Sequence, residues 1–197
     1  MKRLSLYLFL IFFTLQTPSQ ADDIRDFQIE GMSIGDSLLD YFSEEEIKQN
    51  VSKNYYKDNK YTSIGLYKDK RFKTYESIEF NYLTKDNNYI IESISGAIFC
   101  SKNVSKCNNL QKQIESDISE TFKNLEKKVQ KQSHGADKSG KSKVSQILFY
   151  FKNGDFIAIN VTDWSKELTQ KNGWTDNFGL SLRTTDLNWW LVNKAYK

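Results

Sequence analysis

The chain contains few of the residues on which several classes of protein depend. Its 197 residues include one histidine, one proline and two cysteines. A single histidine argues against a metal site built from several imidazoles, and two cysteines are too few for the disulfide framework of a miniprotein. We therefore expect neither a metal ion nor another cofactor.

Arginine is equally scarce, because only Arg25, Arg71 and Arg183 follow Arg3. The whole chain has 28 basic side chains against 25 acidic ones. A nearly neutral surface with so few arginines gives no electrostatic basis for nucleic-acid binding, and we exclude that class of function. The abundance of lysine, asparagine, isoleucine and tyrosine is typical of an AT-rich bacterial genome.

Residues 1–21 have the pattern of a secretory signal peptide. A basic start precedes an apolar run over residues 4–15, and small residues stand at both cleavage positions before Asp22. The run is too short to cross about 30 Å of hydrocarbon as a helix, which needs about 20 residues. We predict cleavage and export to the periplasm or the medium, with an uncleaved amphipathic anchor as the alternative. Residues 22–197 are expected to form a single α+β domain without a membrane span.

Hydrophobic periodicity predicts both helices and strands. Apolar side chains recur every three or four residues over residues 105–130, which is typical of a long amphipathic helix. Alternation of apolar and polar side chains predicts strands over residues 61–68, 74–84, 89–99, 147–151, 156–162 and 178–183. A first helix is expected to begin at the capping box of Ser33 and Asp36, and further short helices at the capping box of Ser43 and at Asp163. Residues 185–197 are expected to form a helix capped by Thr185, with a strand as the alternative. The dipeptide Asn153-Gly154 predicts a two-residue type I′ turn.

These elements predict an α+β fold in which an antiparallel sheet packs against one long amphipathic helix. A helix followed by three strands occurs twice along the chain. Two helix-plus-three-strand halves are therefore one arrangement of this fold, although the halves share no matching residues.

A helix followed by three strands and opened by Gly31-Met32-Ser33 resembles the small outer-membrane assembly lipoproteins and the beta-lactamase inhibitor protein fold. The segment from Ile29 to Ile47 is also similar to the start of uncharacterised small exported proteins from compact AT-rich bacterial genomes. The first resemblance implies a role in binding or inhibition rather than catalysis. The second implies export and no particular activity.

Cys100 and Cys107 lie at the end of a predicted strand and in the first turn of the predicted long helix. Two cysteines in an exported chain are expected to pair, which predicts a structural disulfide. A redox dithiol is the alternative, although the spacing differs from Cys-x-x-Cys.

The segment from Gly135 to Ser142 matches the phosphate-loop pattern G-x-x-x-x-G-K-[ST]. A phosphate site of this kind needs a strand before the loop and a helix N-terminus after it. Here a predicted helix precedes the loop and a predicted strand follows it. We therefore expect a surface loop and no nucleotide binding.

His134 precedes this loop and is expected to be an exposed loop histidine, because no Ser or Cys nucleophile can be placed beside it. The carboxylates of Glu76, Glu79 and Asp163 are candidates for an acid–base pair of the kind that glycoside hydrolases use. A periplasmic hydrolase with such a pair is therefore the alternative to a binding protein.

Trp164, Trp174, Trp189 and Trp190 all lie near the C-terminus. Tryptophans gathered in this way form either a platform for a saccharide, a peptide or a protein partner, or part of the core. Trp189 and Trp190 point in different directions in a helix or a strand, so we expect one ring to be partly exposed. The sequence favours a non-enzymatic binding or interaction module of the bacterial envelope, with these four tryptophans as candidate binding residues.

Overall fold

The computed structural model describes residues 23–53, 55–100 and 103–197, so the predicted signal peptide lies outside the described residues. The strands are β1 Tyr61–Tyr67, β2 Ser77–Leu83, β3 Ser93–Phe99, β4 Glu126–Ser133, β5 Lys143–Tyr150, β6 Phe156–Asp163 and β7 Asn177–Arg183. The α-helices are α1 Glu44–Gln49, α2 Val104–Thr121, α3 Lys166–Asn172 and α4 Thr185–Asn193. The strands form one antiparallel sheet, which makes the protein an α+β fold as predicted. Within the described ranges, no helix is long and apolar enough to cross a membrane.

The last strand joins two consecutive meanders. The order across the sheet is β1-β2-β3-β7-β6-β5-β4. β7 pairs antiparallel with both β3 and β6, so that Leu180 lies opposite Gly96 on one side and Ile159 on the other. The second meander therefore consists of β4, β5 and β6. The strand predicted at residues 178–183, which was expected to be the third strand of the second half, is instead β7, the strand that joins the two meanders.

One face of the sheet carries the main hydrophobic core. Alternate strand positions place apolar side chains such as Phe80, Ile94 and Leu180 on this face. α2 packs across β6 and β7, and the buried amide of Gln111 donates hydrogen bonds to main-chain carbonyls of β5 and β6. Residues 24–47 add further buried apolar side chains to the same core.

α2 ends earlier than the sequence predicted. It has 18 residues, whereas the apolar spacing extended the expected helix to residue 130. Residues 126–133 instead form β4, which pairs with β5 along its whole length. Val129, which was expected on the buried stripe of the helix, is 56% exposed. The prediction was wrong here because main-chain pairing with β5 outweighs a local helical pattern.

The turn between β5 and β6 also differs from the predicted two-residue type I′ turn. The Phe151 N–H donates to the Asp155 carbonyl (2.8 Å), which leaves three residues in the connection. Gly154 has a positive φ of 87°, but Asn153 does not. A type I′ turn needs positive φ at both central residues, whereas a three-residue loop needs it only at its last position.

Three helix caps lie close to the predicted positions. The α-helix predicted to begin at Ser33 is absent among the described residues, where Ser37 instead caps a single 3-10 turn, Leu38–Asp40. Ser43 forms the predicted capping box at the start of α1. Ser165 caps α3 and Thr184 caps α4, where the sequence indicated Asp163 and Thr185. In both cases the side-chain oxygen accepts a main-chain N–H from the first turn.

Cys100 and Cys107 form the predicted disulfide, with their Cα atoms 5.9 Å apart. Both residues are buried. The bond connects the residue after β3 to the first turn of α2, and the Cys100 N–H donates to the Asp176 carbonyl (2.8 Å) just before β7. The disulfide therefore holds the start of α2 beside the central strands.

Replacement of both cysteines by alanine is expected to lower the free energy of unfolding by about 2–3 kcal/mol, because the unfolded chain regains the entropy of a short closed loop. Urea unfolding of the Cys100→Ala/Cys107→Ala variant under non-reducing conditions measures this change. The reduced native chain is the control and should unfold like the variant. A variant as stable as the oxidised chain would contradict the prediction.

α4 completes a smaller core through Trp190. This residue is 1% exposed, its ring packs against Tyr56 and Tyr61, and its Nε1–H donates to Asp58 Oδ1 (2.7 Å). The neighbouring Trp189 is 57% exposed. The two rings thus point in different directions, as predicted.

Trp190→Ala is expected to lower the free energy of unfolding by about 3–5 kcal/mol, because it leaves a cavity in the smaller core. Trp189→Ala is the matched control and should change it by about 0.5 kcal/mol or less. Urea unfolding of the two variants separates the cases. Equal losses of stability would show that both rings serve the core.

Candidate binding site

The sheet face opposite α2 has a different character, with small and polar side chains. Neighbouring strand positions point to opposite faces, which places on this face Ser77, Ser95, Ala97, Asn160, Gly179 and Ser181. The centre of this face is open, because a Cβ added to Gly179 would meet no atom closer than 3.9 Å. Buried apolar side chains lie toward its two sides, with Tyr61 under Trp190 on one side and Leu148, Phe156 and Ala158 on the other. The short side chains allow the loops at the strand ends to surround an open space.

A cleft of about 1120 Å³ lies at the end of the sheet where β1, β3 and β6 finish and β7 begins. We call it the aromatic cleft, because three groups of aromatic side chains border it. Its main lining side chains are Tyr55, Tyr67, Lys68, Glu76, Phe99, His134, Trp164, Trp174, Thr175, Asn177 and Tyr196.

Trp164, Trp174 and His134 form the first aromatic group. The two indole rings lie 4.5 Å apart, and the imidazole lies 4.2 Å from the Trp164 ring. The Trp164 N–H donates to Asp176 Oδ1 (2.9 Å), which fixes the chain just after β6. Trp174 follows Gly173, whose left-handed φ of 70° ends α3. These anchors bring two tryptophans from opposite ends of α3 into contact.

Tyr67 and Phe99 form the second group. Their rings lie 5.8 Å apart, although β2 separates the two strands that carry them. The contact is possible because the β2 residue opposite Tyr67 is Ser77, whose side chain is small. The Phe99 N–H donates to Glu76 Oε2 (2.7 Å). The Glu76 carboxylate is therefore held between β1 and β3, the strands that carry the two rings.

Tyr55 and Tyr196 form the third group, and both contact Tyr56 at ring distances of 4.8 and 5.6 Å. The Tyr56 hydroxyl donates to Asn81 Oδ1 (2.6 Å), which anchors this group on the polar sheet face. Nearby Glu79 raises the pKa of Tyr55, with a further increase from burial. All three hydroxyls therefore stay protonated near neutral pH.

Glu79 and Arg183 lie on the polar face beside these tyrosines. Burial raises the pKa of Glu79 and lowers the pKa of Arg183. The Arg183 Nε–H is buried and donates no hydrogen bond to any described residue, while Nη1 donates weakly to Asn188 Oδ1 (3.4 Å). The sequence did not reveal this pair, because either residue alone looks like an ordinary polar position on a strand.

Several polar groups at the aromatic cleft make no hydrogen bond within the described part of the chain. They are Glu76 Oε1, His134 Nε2, Thr175 Oγ1, Asn177 Oδ1 and Lys68 Nζ. The second oxygen of Glu76, Oε2, accepts a main-chain N–H, and the amide nitrogen of Asn177, Nδ2, donates to a main-chain carbonyl. The side chains of Glu76 and Asn177 are therefore oriented before any ligand binds.

The structure brings together only part of the predicted site. Trp164 and Trp174 line the aromatic cleft, but Trp189 and Trp190 do not. Among the three carboxylates considered from the sequence, Glu76 lines the cleft and Glu79 and Asp163 lie elsewhere. Burial and the nearby Asp176 raise the pKa of Asp163.

Four lining aromatics were missed by the sequence analysis, namely Tyr55, Tyr67, Phe99 and Tyr196. The available signal was weak, because Tyr67 and Phe99 are simply the last residues of their strands. His134, expected to be exposed, is half-buried against Trp164. That expectation was wrong because the ring folds back onto a residue far along the chain.

The loop from Gly135 to Ser142 connects β4 to β5 as part of a hairpin. Asp137 accepts hydrogen bonds from the main-chain N–H and the hydroxyl of both Ser139 and Ser142, at 2.6 to 2.9 Å. The hydrogen bonds from Ser139 have the largest effect and those from Ser142 the next largest, and together they hold the pKa of Asp137 well below its ordinary value. The N–H and hydroxyl groups of this loop thus bind the Asp137 carboxylate, whereas those of a phosphate loop would bind a phosphate group.

No protein-family model matches this chain, and no curated protein or solved structure matches it significantly. The family resemblances suggested by the sequence therefore remain predictions. The function is inferred from the geometry of the aromatic cleft.

The pKa of His134 is expected to lie below 6.5, because burial against Trp164 disfavours the charged ring. The Ala136 N–H donates to Nδ1 (3.1 Å), and protonation of Nδ1 would break this bond. Between the lowered pKa and about 6.5 the unfolded chain binds more protons than the native state. The free energy of unfolding should therefore fall as the pH drops through this window.

The single imidazole gives one set of histidine signals, so an NMR titration measures this pKa directly. A His134→Gln variant is the control, because its stability should lose the part of the pH dependence that lies between the lowered pKa of His134 and about 6.5. A titration midpoint at or above 6.5 would show that the ring is not shielded by Trp164.

Proposed function

We propose that this protein is an exported binding module of the bacterial envelope and that the aromatic cleft is its ligand site. The observation that carries the proposal is the gathering of three aromatic groups around one cleft. Tyr55, Tyr67 and Tyr196 are 46%, 61% and 56% exposed, respectively. Exposed aromatic surface that is concentrated in one place is typical of a recognition site.

Export is supported by two features. Residues 1–21 have the composition of a signal peptide. Cys100 and Cys107 form a disulfide, which persists in the oxidising space outside the cytoplasm. The resemblance of the helix and three strands opened by Gly31-Met32-Ser33 to small outer-membrane assembly lipoproteins and the beta-lactamase inhibitor protein fold is also compatible with a binding role.

Binding is favoured over hydrolysis by the carboxylates at the site. Glycoside hydrolysis by the usual route needs two carboxyl groups, about 5–10 Å apart, that flank the scissile bond. Among the described residues that line the aromatic cleft, Glu76 is the one carboxylate, and one of its oxygens already accepts the Phe99 N–H. The cleft is therefore suited to holding a ligand through ring contacts.

The proposal is tested by thermal unfolding in the presence of a panel of neutral oligosaccharides and short peptides. A ligand at about 100 times its Kd should raise the Tm of the native chain by about 5–10 °C. The Trp164→Ala/Trp174→Ala variant should lose this response, because it lacks one aromatic wall. Trp189→Ala removes an exposed tryptophan outside the cleft and should respond like the native chain.

Two outcomes would contradict the proposal. One is that neither class of ligand raises the Tm of the native chain. The other is an equal rise in the Trp164→Ala/Trp174→Ala variant, which would place the binding surface elsewhere.

A further inference from the structure

The polar groups of the aromatic cleft include both donors and acceptors of hydrogen bonds. Glu76 Oε1 and Asn177 Oδ1 accept, whereas Lys68 Nζ donates. His134 also donates, because Nδ1 accepts the Ala136 N–H and the proton of the neutral ring therefore lies on Nε2. A ligand that matches this mixture must itself both donate and accept at several points. Hydroxyl groups have this property, since each offers one donor and two acceptor positions.

The charges at the cleft balance each other. Lys68 and Glu76 are the charged side chains among the described lining residues. One positive and one negative group provide no net field that would select an anionic or a cationic ligand. The charge balance therefore favours a neutral ligand.

The surroundings of the cleft do not favour a peptide main chain. A peptide that binds by strand addition needs an open strand edge along its length, but the cleft lies across the ends of the strands, from Tyr67 at the end of edge strand β1 to His134 just after edge strand β4. The edge strand β1 is itself partly covered, because the Ser52 N–H donates to Ser63 O and the Gly65 N–H donates to Asn50 O. The recognition groups at the cleft are side chains and not a row of main-chain groups.

We propose that the ligand of the aromatic cleft is a neutral oligosaccharide, an inference that rests on the binding function proposed above. One sugar ring stacks through its C–H face on the contacting pair Trp164 and Trp174. Glu76, Asn177 and His134 bond its hydroxyl groups. Tyr67 and Phe99 supply a second ring surface for a neighbouring sugar.

The site is organised in advance for this ligand. The Phe99 N–H holds one oxygen of Glu76, the Thr175 carbonyl holds the amide nitrogen of Asn177, and the Asp176 carboxylate holds the main chain at Trp164. Side chains that are fixed in this way lose little entropy when a ligand binds. The cleft of about 1120 Å³ exceeds the usual range for one small molecule, about 300–1,000 Å³, which suits a ligand of more than one sugar ring.

Isothermal titration calorimetry with maltohexaose, cellohexaose and hexa-N-acetylchitohexaose tests the proposal. We expect at least one of these neutral saccharides to bind. The Kd of that saccharide should rise by about tenfold or more in Trp164→Ala, which corresponds to about 1.4 kcal/mol. Trp164→Phe keeps an aromatic face and should stay within about threefold of the native chain, and Trp189→Ala should leave the Kd unchanged.

Charge and hydrogen bonding have their own tests. Because the ligand is neutral, raising the NaCl concentration from about 0.02 M to about 0.5 M should change the Kd less than about twofold. Asn177→Ala should weaken binding by about threefold to tenfold, because one acceptor for a hydroxyl group is lost. An oligogalacturonate of the same length carries a charge on every ring and should bind more weakly than the neutral saccharide.

The outcomes distinguish this inference from the function on which it rests. If short peptides bind in a Trp164-dependent manner and none of the three neutral saccharides does, the saccharide inference is overturned and the binding function stands. Tighter binding of the oligogalacturonate, with strong dependence on salt, would also overturn the inference alone. If neither saccharides nor peptides bind, both proposals fail.

Discussion

The main-chain pairing of β7 is the interaction on which the rest of the structure depends. β7 forms hydrogen bonds with β3 on one side and β6 on the other. Without it, two three-stranded meanders would each expose an unpaired inner edge, with main-chain donors and acceptors open to pairing with another chain. Leu180 and Leu182 of β7 also enter the main core under α2. One strand near the end of the chain therefore unites the sheet and its hydrophobic layer.

The same pairing creates the aromatic cleft. By joining the meanders, β7 brings Tyr67 and Phe99 of the first onto the same sheet end as His134 and Trp164, which belong to the second. Asp176, just before β7, connects the two sides, since its carbonyl accepts the Cys100 N–H and its carboxylate accepts the Trp164 N–H. The strand that joins the two meanders thus also contributes Asn177, its first residue, to the lining of the cleft.

The two sheet faces differ in the side chains that they bury. Burial of the apolar face against α2 and the N-terminal segment stabilises the fold. The opposite face buries Glu79 and Arg183 beneath tyrosines. Because burial disfavours the charged form of each side chain, it raises the pKa of Glu79 and lowers the pKa of Arg183. The tryptophans differ in the same way even though they lie on one side of the sheet, because Trp190 completes a smaller core over Tyr61 while Trp164 and Trp174 line an open cleft.

Features that depend on neighbouring residues were readable from the sequence. Alternation predicted six of the strands and Ser43 marked the start of a helix. The presence of two cysteines in a chain expected to be exported predicted the bond between Cys100 and Cys107. The end of α2 was not readable, because residues 126–133 satisfy a helical pattern locally and become β4 only by pairing with β5. The position of β7 and the meeting of Trp164 with Trp174 and His134 also needed the tertiary structure. Periodicity and capping act over a few residues, whereas strand order and the convergence of loops depend on contacts between distant segments, which no local pattern encodes.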